Sequence, residues 1–427
     1  MSALPAVRRW ITHSAAYRVT SRHTLQAAIV LAVCANGVLG QSASGFVPSR
    51  CVSDSTALPP RETITTADSV APGITYRCIY VKEGPWAMHV VTIDLGRGRY
   101  AIEGARAHDA MFGREKVSDM VRRLQERGDT TVVAINADFF NLRTGEIENN
   151  TVIRGRWVKG VVITDSPHDE FDNAHTQFAV DSLGRPLIGR FELHGEVRGV
   201  GSVRRLLGVN HRPPRDSGLV LYTPWYGERT PSDSAKPVEL TLQRASGTGS
   251  YTVRDRSLTG GGNGIPRDGV VLSATGAARE FLQRVARSGG TVTLTTRLGT
   301  HAVAPRTVVG GWPRIIVDGH SVAARADTLE GTMPRFSAAR HPRSAIALSR
   351  DSTQLMLVVV DGRRSWSVGM TLTELADQLL ALGAYQAMNL DGGGSSTLWI
   401  RGTIVNYPSD ATGERPVGNA LIVLPRR

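Results

Sequence analysis

The segment Asn389-Leu390-Asp391-Gly392-Gly393-Gly394-Ser395-Ser396-Thr397 puts a carboxylate, three consecutive glycines and two serine hydroxyls directly after an apolar run. Glycines let the backbone turn with positive φ and bring its N–H groups close to a ligand. Successive N–H groups in such a turn can form an anion-binding nest. A phosphate or a sugar ring suits that lining, with Asp391 at the strand's end. The competing reading is a glycine-rich β-turn whose Asp and Ser side chains bond only their own backbone. The Gly-Lys-Ser/Thr of a nucleotide P-loop is absent.

A second constellation is Asn136-Ala137-Asp138-Phe139-Phe140-Asn141, immediately after the run TTVVAI. Polar groups at the end of a buried strand point into a cleft, where ligand sites form in sheets. The two phenylalanines read as packing plugs or as a platform for a sugar face. A third set is Arg343 (RHPRSAI), Asp361-Gly362-Arg363, and Asn406-Tyr407-Pro408-Ser409-Asp410 with Glu414-Arg415. An arginine fork matches a phosphate bidentately. Thr371-Leu372-Thr373-Glu374 is a capping box, which makes Glu374 structural. The acidic loop 165–172 with His175 could hold a cation, although a solvated loop is its ordinary reading. Neither HExxH nor Gly-x-Ser-x-Gly occurs.

These residues need strands and turns to hold them. Met88 to Asp94 alternates as a strand does, and 130–135 reads as a buried strand. Apolar residues at 117, 120, 121 and 124 mark one helix face, which Gly128 ends. Between Gly155 and Val309 short alternating runs dominate, among them Leu219 to Tyr222, Val238 to Leu242 and Thr291 to Thr295, with a helix at Ala277 to Arg287. The C-terminal part predicts strand 354–360, helix 372–382, strand 387–390, the glycine loop, then strand 397–400. The expected fold class is α+β: a strand-rich mixed sheet with a few helices.

Of 427 residues, 41% are hydrophobic and 21% charged, which excludes disorder, coiled coil and a polytopic membrane protein. Lys+Arg 50 against Asp+Glu 38 gives a formal charge of +12. Only four of those 50 are lysines, leaving 46 arginines, and they form no cluster of the kind that binds nucleic acid. Residues 1–40 read as a signal peptide: Arg8, Arg9, Arg18 and Arg22, then an apolar run from Leu25 to Leu39, then small residues before Gln41. An apolar run of about 15 is shorter than the roughly 20 residues that a spanning helix needs, so no stable membrane span is expected after cleavage. Export is therefore expected, to periplasm, cell surface or medium. Residues 41–72 read as a Ser/Pro/Thr-rich linker and 73–427 as the catalytic domain. Cleavage leaves Cys51 and Cys78, which suggests one disulfide in an exported protein, the alternative being two unpaired thiols.

Taken together, INADFFN, GGWPRIIVDG, HPRSAIAL, VDGRRSWSVGMTLTELADQLLALGAYQAMNLDGGGSSTLWI and NYPSD…ERPVGNALIV resemble the phosphodiester glycosidase family, in the family's order from about residue 73 to 424. Asp138 stands where the family commonly carries glycine, and Trp312 occupies the GGxP segment. The resemblance implies a single phosphodiester-glycosidase-like domain that removes a sugar, typically N-acetylglucosamine, from a phosphodiester at its anomeric carbon. It also implies a link with exopolysaccharide or envelope metabolism. Glycosidases generally use two carboxyls, but a phosphate monoester is already a good leaving group, so holding its charge matters more. Asp391 is then expected near the anomeric carbon as base or oxocarbenium stabiliser, with Asp138 as partner and Asp318 and Asp361 as rivals. Arg343 and the loop Gly392, Gly393, Gly394, Ser395, Ser396 are expected to bind the phosphate, Asp361, Arg363 and Asn406 to take part in substrate binding, and Asn136 and Asn141 to bind sugar hydroxyls or order the site. No cofactor is required, and a divalent cation is left open. The expected partner is a sugar-phosphate or glycan substrate rather than nucleic acid. Two other functions fit the same residues: a non-catalytic envelope-glycan binding module, and a metal-dependent phosphodiesterase.

Overall fold

A computed structural model describes residues 46–426 except 53–59, 165, 168, 214–217, 233–235, 248, 256–259, 289, 300 and 302. The expected signal peptide lies outside the described residues. Chain contacts group Gly45–Arg427 into one compact unit, and most of its regular structure is strand.

Three sheets replace the single mixed sheet expected from sequence. The first runs, in spatial order, Ile64–Ala71, Ile74–Val81, Trp86–Asp94, Gln354–Val360, Arg343–Leu348, Gln386–Asn389, Arg314–Val317 and His320–Ser321. The second, of five strands, runs Thr403–Ile404, Leu398–Ile400, Val133–Asn136, Asn419–Pro425 and Tyr100–Arg106. Every pairing in these two is antiparallel. They share one core, in which Ile346, Leu348 and Leu355 of the first meet Ile135, Leu398 and Leu421 of the second. Val133–Asn136 is buried at all four residues, which is why its sequence shows no alternation.

The third sheet curls shut. Leu193–Gly199 pairs with Thr291–Leu298 on one side and with Ser202–Val209 on the other, closing a seven-stranded barrel through Ser250–Asp255, Val238–Arg244, Gly269–Ala274 and Leu219–Tyr222. Ser202–Val209 with Leu219–Tyr222 is the one parallel pair among the described residues. The helix Ala278–Ser288 inserts Phe281, Leu282 and Val285 into the same core as Leu240, Leu242 and Leu272. Each such side chain contributes about 1.5–3 kcal/mol by leaving water.

The proposed linker needs correction. Ile64–Ala71, read as part of a segment 41–72 without structure, pairs along its length with Ile74–Val81. Its Thr and Ser residues lie on a sheet edge, where polar alternation looks like linker composition. Cys51 and Val52 are buried in the core beneath it, and a disulfide joins Cys51 to Cys78. Among the described residues no helix is long and apolar enough to cross a membrane.

Candidate active site

Two strand ends meet where the first two sheets pack. Val133–Asn136 delivers Asn136, and Gln386–Asn389 delivers the glycine loop. Asn136 is fully buried and cross-links the two: its Nδ2 donates to the Asp391 carbonyl (2.6 Å), and its Oδ1 accepts from Ser344 Oγ (2.8 Å) and Thr397 N (3.0 Å). Asp391 N donates to Ala137 O (2.9 Å). Asn136 is thus placed to order the site, one of the two roles expected for it. Asn141 does not line the cleft: it is exposed, and its Oδ1 caps its own turn by accepting from Arg143 N and Thr144 N.

Above this junction lies a cleft of about 350 Å³. Asp391, Gly392, Gly393, Gly394, Ser395, Arg363 and Arg415 line one side, and Phe139, Phe140, Leu142, Trp312, Met333 and Phe336 the other. Asp391 is half-buried at the cleft, and its carboxyl is pushed up to about 7. Desolvation is the main cause, with Glu148's charge adding to it, opposed by the Ser395 hydroxyl, the Arg415 charge and the Gly392 amide. Such a group changes protonation near neutral pH, which suits a general acid or base.

The glycine loop is not an open nest. Gly393–Ser395 forms a short 3₁₀ turn, and the N–H groups of Gly393, Ser395 and Ser396 donate to the carbonyls of Pro342, Gly392 and Gly393. What the glycines permit is close approach. A Cβ on Gly393, whose φ is +61°, would lie 3.1 Å from Arg363 Nη2, and one on Gly394 would lie 2.1 Å from Arg415 Nη2. Two guanidinium groups thus lie directly on the loop. Arg415 is held by both oxygens of Asp410 (Nε 2.7 Å, Nη2 2.9 Å). Arg363 is about half exposed, bonded only to Ser409 Oγ (3.2 Å) and 3.9 Å from Asp410, so its charge is available to an anion. The hydroxyls of Ser396 and Thr397 are buried without a hydrogen-bond partner.

Several expected contributors are placed elsewhere. Arg343 borders the cleft, but its Nε donates to Met370 O (2.8 Å) and its Nη2 to Phe336 O (2.7 Å) and Ala339 O (2.9 Å). It is 1% exposed, and burial pushes its pKa down to about 9. It is a clamp on the wall, not a phosphate fork. Asp361 is buried away from the cleft, accepting from Tyr407 N (2.8 Å) and paired with His89 Nε2 (2.8 Å), whose Nδ1 meets Tyr76 OH (2.8 Å). Asn406 ties Leu398 N to Ser396 O within its own hairpin. Asp318 sits exposed in a hairpin turn, accepting from Gln386 Nε2 (2.7 Å), and lines no part of the cleft.

Asp138 follows Ala137, whose carbonyl accepts from Asp391 N, but it does not line the cleft. It is 1% exposed and accepts from Asn149 N (3.0 Å) and Nδ2 (2.7 Å). Desolvation raises its pKa to about 7 despite those two bonds. Its position makes it a support beneath the site.

Sequence reasoning missed Leu142, Met333, Arg335, Phe336 and His341, all of which line the cleft. His341 immediately precedes the PRSAI motif, which was its one available signal. Burial holds its imidazole below the usual range, helped by the charges of Arg343 and Arg363. Among the described residues no three His, Cys, Asp or Glu side chains gather as metal ligands would, and a larger cleft of about 490 Å³ beside Glu103 and Arg306 lies apart from Asp391.

A model of the phosphodiester glycosidase family matches residues 244–424. Residues 244–424 are thus similar to a phosphodiester glycosidase domain. Asp391, the glycine loop, Arg363 and the Trp312–His341 wall fall within the matched span, while Asn136 and Asp138 join it through the fold. The N-acetylglucosamine-1-phosphodiester alpha-N-acetylglucosaminidase of Bos taurus is 41% identical over 80 residues, 19% of this chain. The match spans 15% of the length of that relative. Two solved structures share the fold: a hypothetical protein from Synechocystis (TM-score 0.65, 24% identity, 86% of this chain and 64% of that one), and a candidate exported protein from Burkholderia pseudomallei K96243 (TM-score 0.59, 24% identity, 80% and 74%). At that identity the likeness concerns the fold alone.

Proposed function

We propose that this protein is an exported hydrolase that removes a GlcNAc-like sugar from a sugar-1-phosphodiester. The observation that carries the reading is Asp391: a carboxyl held near pKa 7 at the base of a cleft, with two arginines lying over the loop that follows it. In the reaction water adds to the anomeric carbon, and the C1–O bond to phosphorus breaks with its electron pair leaving on oxygen. The phosphomonoester so formed carries one more negative charge than the diester did. Arg363, with Arg415 behind it, faces that developing charge, where a fixed cation lowers the barrier most. Ionised Asp391 takes the proton from water or shields the oxocarbenium-like carbon. The Asp138 departure from the family pattern lies under the cleft and does not alter the surface that substrate meets.

Incubating the purified protein with a GlcNAc-1-phosphodiester and identifying products tests this. Free sugar plus phosphomonoester is the expected outcome. Sugar phosphate plus alcohol would instead mean phosphodiesterase cleavage of P–O, and glycan binding without turnover would mean a binding module. The leader pattern supports export into envelope or exopolysaccharide metabolism, and finding the intact chain in the cytoplasm after fractionation would rule it out.

A further inference from the structure

The two sides of the cleft differ in chemistry. The side that carries Asp391 and the arginines suits an anion and a reacting carbon. The rest of the lining is mainly apolar, with Arg335 and His341 among Phe139, Phe140, Leu142, Trp312, Met333 and Phe336, and its rings pack on one another. Trp312 is 1% exposed, stacked between His175 (centroids 5.3 Å, 21°) and Phe336 (4.9 Å, 20°). Phe336 also has the Arg343 guanidinium 4.9 Å from its ring centre, and Phe139 meets Trp312 and Phe336 edge-on at 5.9 and 5.8 Å. A pyranose is recognised by an open ring face together with several polar side chains that bond its hydroxyls; here Trp312 and Phe139 are buried, and beside the apolar residues the wall carries Arg335 and His341 as its accessible polar side chains. It supplies the Met333 thioether, ring edges, and Leu142 at the mouth with 62% of its surface exposed. Those groups exclude water around methylenes within the cleft.

We propose that the aglycone is a hydrocarbon chain, so that the substrate is a sugar carried on a lipid phosphate, its tail lying along Leu142, Met333 and Phe336. The inference rests on the glycosidase reading for the reacting end. Hydrolysis would give free sugar and an alkyl phosphate, with the water proton passing to Asp391 and on to solvent.

The test compares methyl and hexyl diesters of GlcNAc-1-phosphate on the full chain. Each methylene buried against the wall strengthens binding several-fold, so kcat/KM for the hexyl diester should exceed that for the methyl diester by at least about tenfold. Leu142→Ser should cut the hexyl-to-methyl ratio several-fold. Equal kcat/KM for the two diesters, or a ratio that Leu142→Ser leaves intact, overturns the proposal. Calorimetry with hexyl phosphate and methyl phosphate decides the tail site even if neither diester is hydrolysed. In that case the glycosidase reading falls, while tighter binding of hexyl phosphate that Leu142→Ser weakens still supports the apolar subsite, and equal affinities overturn it.

Discussion

The side-chain amide of Asn136 donates to the backbone carbonyl of Asp391 at 2.6 Å, across 255 positions of sequence. One asparagine thus fixes the loop that carries the Asp391 carboxyl to a strand of the other sheet. Removing it leaves three polar groups without their partner: Asp391 O, Ser344 Oγ and Thr397 N. Buried groups left unsatisfied cost about 1–3 kcal/mol each at most, so Asn136→Ala should lower stability by about 2–4 kcal/mol. Turnover should fall at least about tenfold as Asp391 loses its placement. Denaturant unfolding and steady-state kinetics check both. A raised KM with stability unchanged would restore Asn136 as a sugar ligand.

How far the sequence reveals this site depends on how local the determinant is. The helix Leu372–Ala381 begins at its capping box, with Thr371 and Glu374 bonded reciprocally, because both partners lie within one turn. The strands Leu219–Tyr222 and Gln354–Val360 match their apolar runs for the same reason. Asn136 reads as a ligand because its type suits one, and its three partners come from positions 344, 391 and 397. Barrel closure likewise requires Leu193–Gly199 to find Thr291–Leu298, a pairing that no local pattern announces. Composition hid Ile64–Ala71, whose polar residues belong to an edge strand.

Activity should follow the ionisation of Asp391. Its carboxyl, held up to about 7, is needed as the anion both to accept a proton and to face an oxocarbenium-like carbon. The logarithm of kcat/KM should therefore rise with slope near one as pH approaches about 7, and level above it. A profile that is flat from pH 5 to 8 would show that a different group limits the reaction.

The same desolvation has a price in stability. A carboxyl whose pKa is about 7 in the folded state and near 3.8 unfolded binds its proton more tightly when folded. Stability therefore declines as pH rises from about 4 to about 7, and the penalty is complete above that. Asp391→Asn should abolish turnover, yet stabilise the protein at pH 8 by about 1–3 kcal/mol after allowance for the open side of the cleft. The gain should vanish below about pH 4. Melting curves at both pH values measure it, and a variant less stable at pH 8 would mean that the carboxylate is well solvated.

Arg343 and Arg363 are alike in sequence, each in a motif beside the site, and the structure separates their roles. Arg343 has its donors on the carbonyls of Phe336, Ala339 and Met370, and its guanidinium packs on Phe336. Arg343→Met keeps the stem's bulk and leaves the Phe336 and Ala339 carbonyls unpaired, while Met370 O still accepts from His341 N (3.2 Å), so it should cost about 2 kcal/mol or more. Arg363, about half exposed, holds no carbonyl and lies over Gly393. Arg363→Ala should change stability by less than about 0.5 kcal/mol. It should nonetheless lower kcat/KM by about ten- to a hundredfold, the effect of losing one charged contact to the transition state. Thermal melts and kinetics on the two variants separate these roles. If Arg343→Met keeps its melting temperature and loses activity while Arg363→Ala does neither, the phosphate lies on the other side of the loop.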